Sequence, residues 1–392
     1  MLRNYFLLVL MFFISCSYNN PKVHHDESLK TKHKNTIVKI NLPQKGEKQL
    51  NTSEFADTIL YIPLETKPQS LIRRIIQVQI IEDKILMNCF DKMLLFSNTG
   101  KFIRQIGKNG KGPGEYLIIF NFNIINDTIL ISTTGKRSIL KYTLEGKYLG
   151  EQQTKSQFSR WTITPTNEFV VHDYIHEKLI FYNQFFKVSD TINIQSDIHK
   201  NRGRYGWWDT WDTFFQYGNG KLYFTNYLSD TIWNISSGKK EVGYILNIKN
   251  KLLPNEYQVE YFDGDEKKFR QKAAPFQKVN LFETPSYLFL FQKGWVENMI
   301  NSIYLHDFDK NYTRKFEGPF IVDDIISGGN QKLIPRFTTN DCIIATINPI
   351  HLKEDLKSFS AKDAKSAAWL EQMKTVKEED NQILVIIPVR KH

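Results

Sequence analysis

The sequence predicts an all-β chain folded as a six-bladed β-propeller of four-stranded antiparallel blades. Three observations predict it: a repeat of about 45 residues, an excess of residues that favour strands, and the absence of clear helical periodicity before residue 360. Aromatic residues make up 14% of the 392 residues, with 28 Phe and 18 Tyr. Together with abundant isoleucine they suit pleated, packed surfaces.

The repeat is clearest in two segments. Ile81-Glu82-Asp83-Lys84-Ile85-Leu86-Met87, Met93-Leu94-Leu95-Phe96 and Thr99-Gly100-Lys101-Phe102 form the first. Ile125-Asn126-Asp127-Thr128-Ile129-Leu130-Ile131, Ile139-Leu140-Lys141-Tyr142 and Glu145-Gly146-Lys147-Tyr148 form the second. Each reads as strand, short turn, strand, then a Gly-Lys turn, where Gly100 and Gly146 suit hairpins that require positive φ. Weaker copies follow at 168–182, 221–235 and 287–308, and a sixth begins at Cys342. Asp-Thr-Ile recurs at 57–59, 127–129, 190–192 and 230–232, near strand starts. Four-stranded units at this spacing are propeller blades. One helix is expected late: Ser360-Ala361-Lys362-Asp363 has the form of a capping box, and apolar residues follow at helical spacing to about Lys377. The apolar run 383–389 is expected to pair with the N-terminal strand 58–62 and close the ring.

The N-terminus carries Arg3, an apolar run at 5–14 and then Phe13-Ile14-Ser15-Cys16. That run has the length of a signal peptide and is too short to span a membrane, which takes roughly 20 residues. The string ending at Cys16 resembles the lipobox of bacterial lipoproteins, which implies cleavage before Cys16 and lipidation of its thiol. Residues 17–34 are polar and read as a tether. The expected organisation is a signal peptide at 1–15, a lipidated cysteine and flexible tether at 16–36, and a propeller at 37–392. Cys89 and Cys342 lie in apolar strand-like runs, where they can pair as a disulfide or pack as two small buried hydrophobes.

The net charge is +10, without a run of five basic residues. This suits solubility or affinity for anionic surfaces rather than a nucleic-acid site. Export also argues against nucleic acid.

Several strings are distinctive: Ile106-Gly107-Lys108-Asn109-Gly110-Lys111-Gly112-Pro113-Gly114-Glu115-Tyr116, Tyr61-Ile62-Pro63-Leu64-Glu65-Thr66, Leu228-Ser229-Asp230-Thr231-Ile232-Trp233, Val322-Asp323-Asp324-Ile325-Ile326-Ser327-Gly328-Gly329 and Glu378-Glu379-Asp380-Asn381-Gln382-Ile383-Leu384. In that composition the chain resembles the six-bladed propeller lipoproteins of Bacteroidetes-type bacteria, relatives of NHL and TolB-like propellers, over about residues 37–390. Gln382 stands where that family pattern has proline. The resemblance implies a fold and a cell-envelope location, with outer-membrane anchoring, and transfers no catalytic residue.

The glycine-rich string lacks the Gly-Lys-Ser/Thr that leads a phosphate loop into a helix, so it reads as a structural turn between blades, with Glu115 accepting backbone N–H bonds and Tyr116 packing at a blade edge. The candidate ligand site is the stretch holding Arg202, Arg204, Trp207, Trp208, Asp209, Trp211 and Asp212. Indole faces stack on sugar C–H surfaces while carboxylates and guanidinium groups fix hydroxyls. Packing over a propeller face is the alternative reading of the three tryptophans. His172 and His176 would suit a metal only on a helix, and this region reads as strand and turn. No metal, cofactor or catalytic residue is assigned. The expected function is a monomeric, lipid-anchored propeller of the cell envelope that binds a glycan or peptide. The rivals are a propeller enzyme (lyase, lactonase or glycoside hydrolase) with a central-channel site, and a scaffold for an envelope protein complex.

Overall fold

The computed structural model describes residues 38–391 except 156–157, 174–175, 177, 195–214, 226–228, 249–250, 255–265, 296–298, 330, 340 and 358. Five consecutive four-stranded meanders cover Gln77–Ile106, Ile119–Gln153, Trp161–Asn193, Phe215–Leu246 and Gln277–Glu317, here blades 1 to 5. The sixth combines Pro335–Thr339, Cys342–Ile347, Ile383–Pro388 and the N-terminal strand Leu60–Pro63. The expected closure by the two chain ends is therefore the one observed.

The repeats seen in the sequence are the second and third strands of each blade. These strands have neighbours on both faces, so they read as continuous apolar runs rather than as alternation. Leu86, Met87, Met93 and Leu94 of blade 1 are all fully buried. Successive side chains enter different cores: Ile85 and Met87 pack with Ile344 and Leu384 of blade 6, whereas Leu86 and Leu95 pack with Ile129 and Leu140 of blade 2. Four further clusters lie between blades 2 and 3, 3 and 4, 4 and 5, and 5 and 6. The hydrophobic drive thus holds blade to blade around a ring.

The expected count of six is corrected to seven units, six regular and one reduced. Ile321–Asp323, Gln331–Leu333 and Leu50–Asn51 form a three-stranded sheet between blades 5 and 6. Leu50, Ile321 and Leu333 are buried in the same core as Phe289 of blade 5 and Ile343 of blade 6. Its strands have only two or three residues, too short for a hydrophobic period to register. Asp323 fixes its turn. Its buried carboxylate accepts from the N–H groups of Ile325, Ile326 and Ser327 at 2.8–2.9 Å and from the Tyr61 hydroxyl at 2.7 Å.

Two helices, Pro349–Leu356 and Ala364–Lys374, stand between the second and third strands of blade 6, where one was expected. The cap of the second is Asp363, not Ser360: its carboxylate accepts from Ser366 N at 2.7 Å, and the Ser366 hydroxyl accepts from Asp363 N. Cys89 and Cys342 are both buried and unbridged.

Residues 38–51 form a strap over the outer edges of the ring. Val38–Ile40 adds a fifth, parallel strand to blade 4, Glu47 bridges to Phe316 of blade 5, and Leu50–Asn51 joins the reduced sheet. Outer strands are open edges that invite unwanted pairing, and the strap covers two of them. Arg314 fastens it with bonds to Glu47 and Glu54.

The meander gives the ring two unlike ends. Where first and third strands finish, the links are tight turns of two to six residues, such as Asn126-Asp127 and Asn219-Gly220, with both residues at positive φ. We term this the turn end. Where second and fourth strands finish, every long connection begins and ends: 64–76, 107–118, 194–214, 247–276, 318–334 and 348–382. This is the connection end.

Candidate ligand-binding end

The glycine-rich string 107–116 lies at the connection end, between blades 1 and 2. Lys108–Asn109 and Glu115–Tyr116 pair as a two-stranded parallel ribbon. The Glu115 carboxylate folds back to accept from Gly112 N at 2.8 Å. A Cβ at Gly110 would stand 2.1 Å from Glu115 Oε2, so glycine makes room for that carboxylate. The loop thus fills its own backbone cradle with an internal anion, where a phosphate loop would leave it open. Tyr116 is fully buried. Its hydroxyl donates to Ile106 O at 2.6 Å and accepts from Met93 N at 3.1 Å, and burial pushes its pKa up to about 12. Tyr142 donates to Gly114 O and Lys136 to Gly112 O. Pro113 is exposed. This network joins blades 1 and 2 and holds the loop as a rigid part of the connection end.

Arg202, Arg204, Trp207, Trp208, Asp209, Trp211 and Asp212 fall outside the described residues, as does Cys16. In chain order the stretch joins the last strand of blade 3, which ends at Asn193, to the first strand of blade 4, which starts at Phe215. Both of those strand termini are at the connection end. Beside them, His172 sets its ring edge-on to Phe224 at 5.5 Å, joining blades 3 and 4. His176 is exposed and pairs through Nδ1 with Asp173 at 2.8 Å. The two histidines therefore have separate partners. Among the described residues no group of three or more His, Cys, Asp or Glu side chains could hold a metal.

Sequence reasoning missed Lys278. It is 2% exposed, and its ammonium lies 5.5 Å from the centre of the Trp295 ring, at the connection end of blade 5. A lysine early in the strand Gln277–Glu283 carries no pattern that signals such burial. Trp295 stands at the tip between the second and third strands of its blade.

The inner strands face the ring axis. They read QVQII, IFNFNII, WTI, FQYG, QKVNLFE and PRFTT, with no Asp or His and with Glu283 as their one carboxylate. Their amides mend exposed edges: Gln77 exchanges two hydrogen bonds with the backbone of Phe122 at 2.9 and 3.1 Å, and Asn121 donates to Trp161 O. Glu283 sits at the turn end, buried, accepting from the Tyr223 and Tyr244 hydroxyls and from Lys221 Nζ at 3.4 Å. Burial and that carboxylate push both phenols well above their ordinary range. A cavity of about 250 Å³ also opens at this end, lined by Glu54, Tyr287, Leu305, Asp307, Lys310, Tyr312 and Arg314. Its charges neutralise one another: Arg314 holds Glu47 and Glu54, and Lys310 holds Asp307 at 2.7 Å. It reads as the seam under the strap.

Fold and site define a β-propeller with one plain end and one elaborated end. The chain belongs to the family of the domain of unknown function DUF4934, whose model matches residues 36–388. Among solved structures it is similar to a Bacteroides fragilis protein described as exported, at 15% identity over 91% of this chain and all of that one, with a TM-score of 0.73. It is more distantly similar to a DUF4221-family protein from Bacteroides vulgatus (9% identity, 86% of this chain and 98% of that one, TM-score 0.43). A catalytically inactive virginiamycin B lyase from Staphylococcus aureus, solved with quinupristin, stands at a similar distance (11% identity, 84% and 99% covered, TM-score 0.44). At these identities the first likeness shows the fold alone and the other two carry no argument. No protein of curated function matches the sequence.

Proposed function

We propose that this protein is a lipid-anchored, monomeric propeller of the cell envelope, held at the outer membrane, that binds a glycan or peptide at its connection end. The observation that carries this reading is that the longest links between blades all begin and end at one end, among them the stretch with Arg202, Trp207, Trp208, Asp209, Trp211 and Asp212. A binding surface is made of adaptable connections on a rigid ring. The inner strands support binding over catalysis: their one carboxylate, Glu283, is buried and engaged by Tyr223, Tyr244 and Lys221, which leaves it poorly placed as a general acid or base. The strap supports the lipid anchor. Val38–Ile40 runs parallel to Glu241–Leu246 and so enters from the turn end. In this reading the lipid anchor lies on that side and the connection end faces away from the membrane. Among the described residues no helix is long and apolar enough to cross a bilayer.

The test is a glycan and peptide array probed with the full chain, with and without EDTA. A hit insensitive to EDTA and lost in Trp207→Ala/Trp208→Ala/Trp211→Ala, with thermal unfolding unchanged, is the expected result. Unchanged binding by the triple variant removes this stretch as the site. A hit abolished by EDTA moves the reading to a metal-dependent site and reopens the enzyme class.

A further inference from the structure

We infer that the rim of the turn end rests directly on a lipid bilayer. This goes beyond the lipid anchor of the proposed function and rests on that reading for the side of the ring that faces the membrane. Twelve large apolar residues are exposed among the described residues. Six of them stand where the outermost strands leave the turn end. Ile103 and Leu149 are second in their strands in blades 1 and 2, and Val188 is first in its strand in blade 3, with Phe185 in the turn before it. Tyr312 is first in blade 5 and Leu60 first in blade 6. At about 3.4 Å per residue, a side chain in the first two positions of a strand lies within about 7 Å of that end. Five blades thus offer an apolar side chain at one level, as contact with a flat surface requires. The other six are Val38 on the strap, opposite Tyr244, and five at the connection end, confined to the side of blades 5, 6 and 1.

Local structure presents these side chains. In blades 1 and 2 a β-bulge falls on Ile103 and on Leu149, the residues left unpaired between Phe102 and Arg104 and between Tyr148 and Gly150. A bulge re-aims a side chain and spoils an edge for pairing. A polar residue serves that purpose equally well, as Ser189 does at the same place in blade 3. Phe185 is 70% exposed. It tops a turn pinned by Asn183, whose Oδ1 accepts from the N–H groups of Phe185 and Lys187 at 3.0 and 3.1 Å. The aromatic ring is therefore held out by a fixed turn.

A bilayer fits this rim better than a second protein does. Protein interfaces have an apolar core inside a polar rim, whereas the turn end has short, mostly polar turns inside an apolar margin. Its eleven turns hold six basic and seven acidic residues. The chain ends add Arg390 and Lys391 against Asp57, and the turn of the reduced sheet adds Asp324. Charges so balanced attract neither a polyanion nor an acidic headgroup, so the contact rests on apolar side chains that enter the headgroup boundary. The strap enters from this end. In the proposed reading Cys16 carries the lipid 22 positions before Val38. Tethering raises the local concentration of the rim at the surface, so contacts too weak to recruit a free protein suffice to orient an anchored one.

The experiment reconstitutes the full chain in phosphatidylcholine vesicles and reads a polarity-sensitive label at Leu149→Cys or Val188→Cys on the rim and at Leu71→Cys or Ile350→Cys at the connection end. The native side chains match in exposure, 47 and 49% on the rim against 50 and 48% at the other end, and Cys89 and Cys342 are buried away from the reagent. Circular dichroism melting is the control for folding. The proposal expects emission from the rim labels to rise about two-fold or more and to be quenched by brominated lipid, with no change at the connection-end labels. It expects no loss between about 50 and about 500 mM salt. Ile103→Ser/Phe185→Ser/Tyr312→Ser should weaken the quenching at Leu149→Cys by about two-fold or more. Equal responses at both ends, or quenching lost at high salt, would overturn the proposal. Rim labels already shielded in Cys16→Ala without vesicles would assign the rim to a second copy and also overturn it. Silent rim labels on a chain that floats with the vesicles would overturn the contact and leave the anchor standing, whereas a wild-type chain that fails to float would overturn both.

Discussion

The two ends of the propeller are built from one repeat by different rules. At the turn end the chain takes its shortest path, and its polar groups close on one another: Glu283 with Tyr223, Tyr244 and Lys221, and Arg314 with Glu47 and Glu54. At the connection end the links are long, one carries its own internal anion at Glu115, and the basic side chains around it are left open. The contrast teaches where to look for function on a ring whose core is nearly uniform. At the turn end these charges tie the structure together, whereas Lys108 and Lys111 of the connection end stay exposed.

Glycine substitutions give the sharpest break in this comparison. A Cβ at Gly107 would stand 2.7 Å from the Tyr116 ring and 2.9 Å from the Tyr142 hydroxyl, at φ +69°. Gly107→Val should cost about 3 kcal/mol or more, from strain plus overpacking, and lower the melting temperature by several degrees. Gly220, at φ +70° with nothing within 4 Å of its Cβ position, should cost only about 1 kcal/mol as Gly220→Ala. Equal melting temperatures for the two variants would show that the connection loop is not the rigid element described.

The turn-end network is next in size. Tyr244→Phe removes a donor to the buried Glu283 carboxylate and should cost about 1–3 kcal/mol in urea unfolding. Replacing Glu283 itself by Gln should cost a similar amount, since the amide cannot accept from both phenols as well. An effect on ligand binding larger than the effect on stability would place function at the wrong end.

The smallest effect concerns the strap. Glu47 is held below its ordinary carboxylate range, first by its hydrogen bond to Arg314. A carboxyl with a depressed folded pKa lends stability above its unfolded value of about 4.3 and loses it as pH falls through the folded value. Exchange of the Glu47 and Glu317 amides, which hydrogen-bond across the strap at 2.8 and 2.9 Å, should therefore quicken below about pH 4 after correction for intrinsic rates. The pH dependence should vanish in Arg314→Gln.

Much of the fold was legible because burial wrote it into the second and third strands. Runs such as Ile85-Leu86-Met87 and Ile129-Leu130-Ile131 are apolar at every position, since each lies between two blades. The first strands were harder to read because Gln77, Asn121 and Asn280 interrupt them, and the reduced sheet escaped because Ile321–Asp323 is too short to show a period. Closure by Leu60–Pro63 followed from the strength of the 383–389 run. The site was less legible. Lys278 is placed by tertiary packing, and the division of links between two ends appears only once topology assigns each link. The tryptophan-rich stretch was visible from composition alone.

The most direct test of the central claim is one array read with three proteins: wild type, Trp207→Ala/Trp208→Ala/Trp211→Ala, and Lys101→Glu/Lys147→Glu/Lys187→Glu. The account predicts that the same ligands bind wild type and the turn-end variant and fail on the tryptophan variant. Ligands lost only in the turn-end variant would contradict it and move the binding site to the other end of the ring.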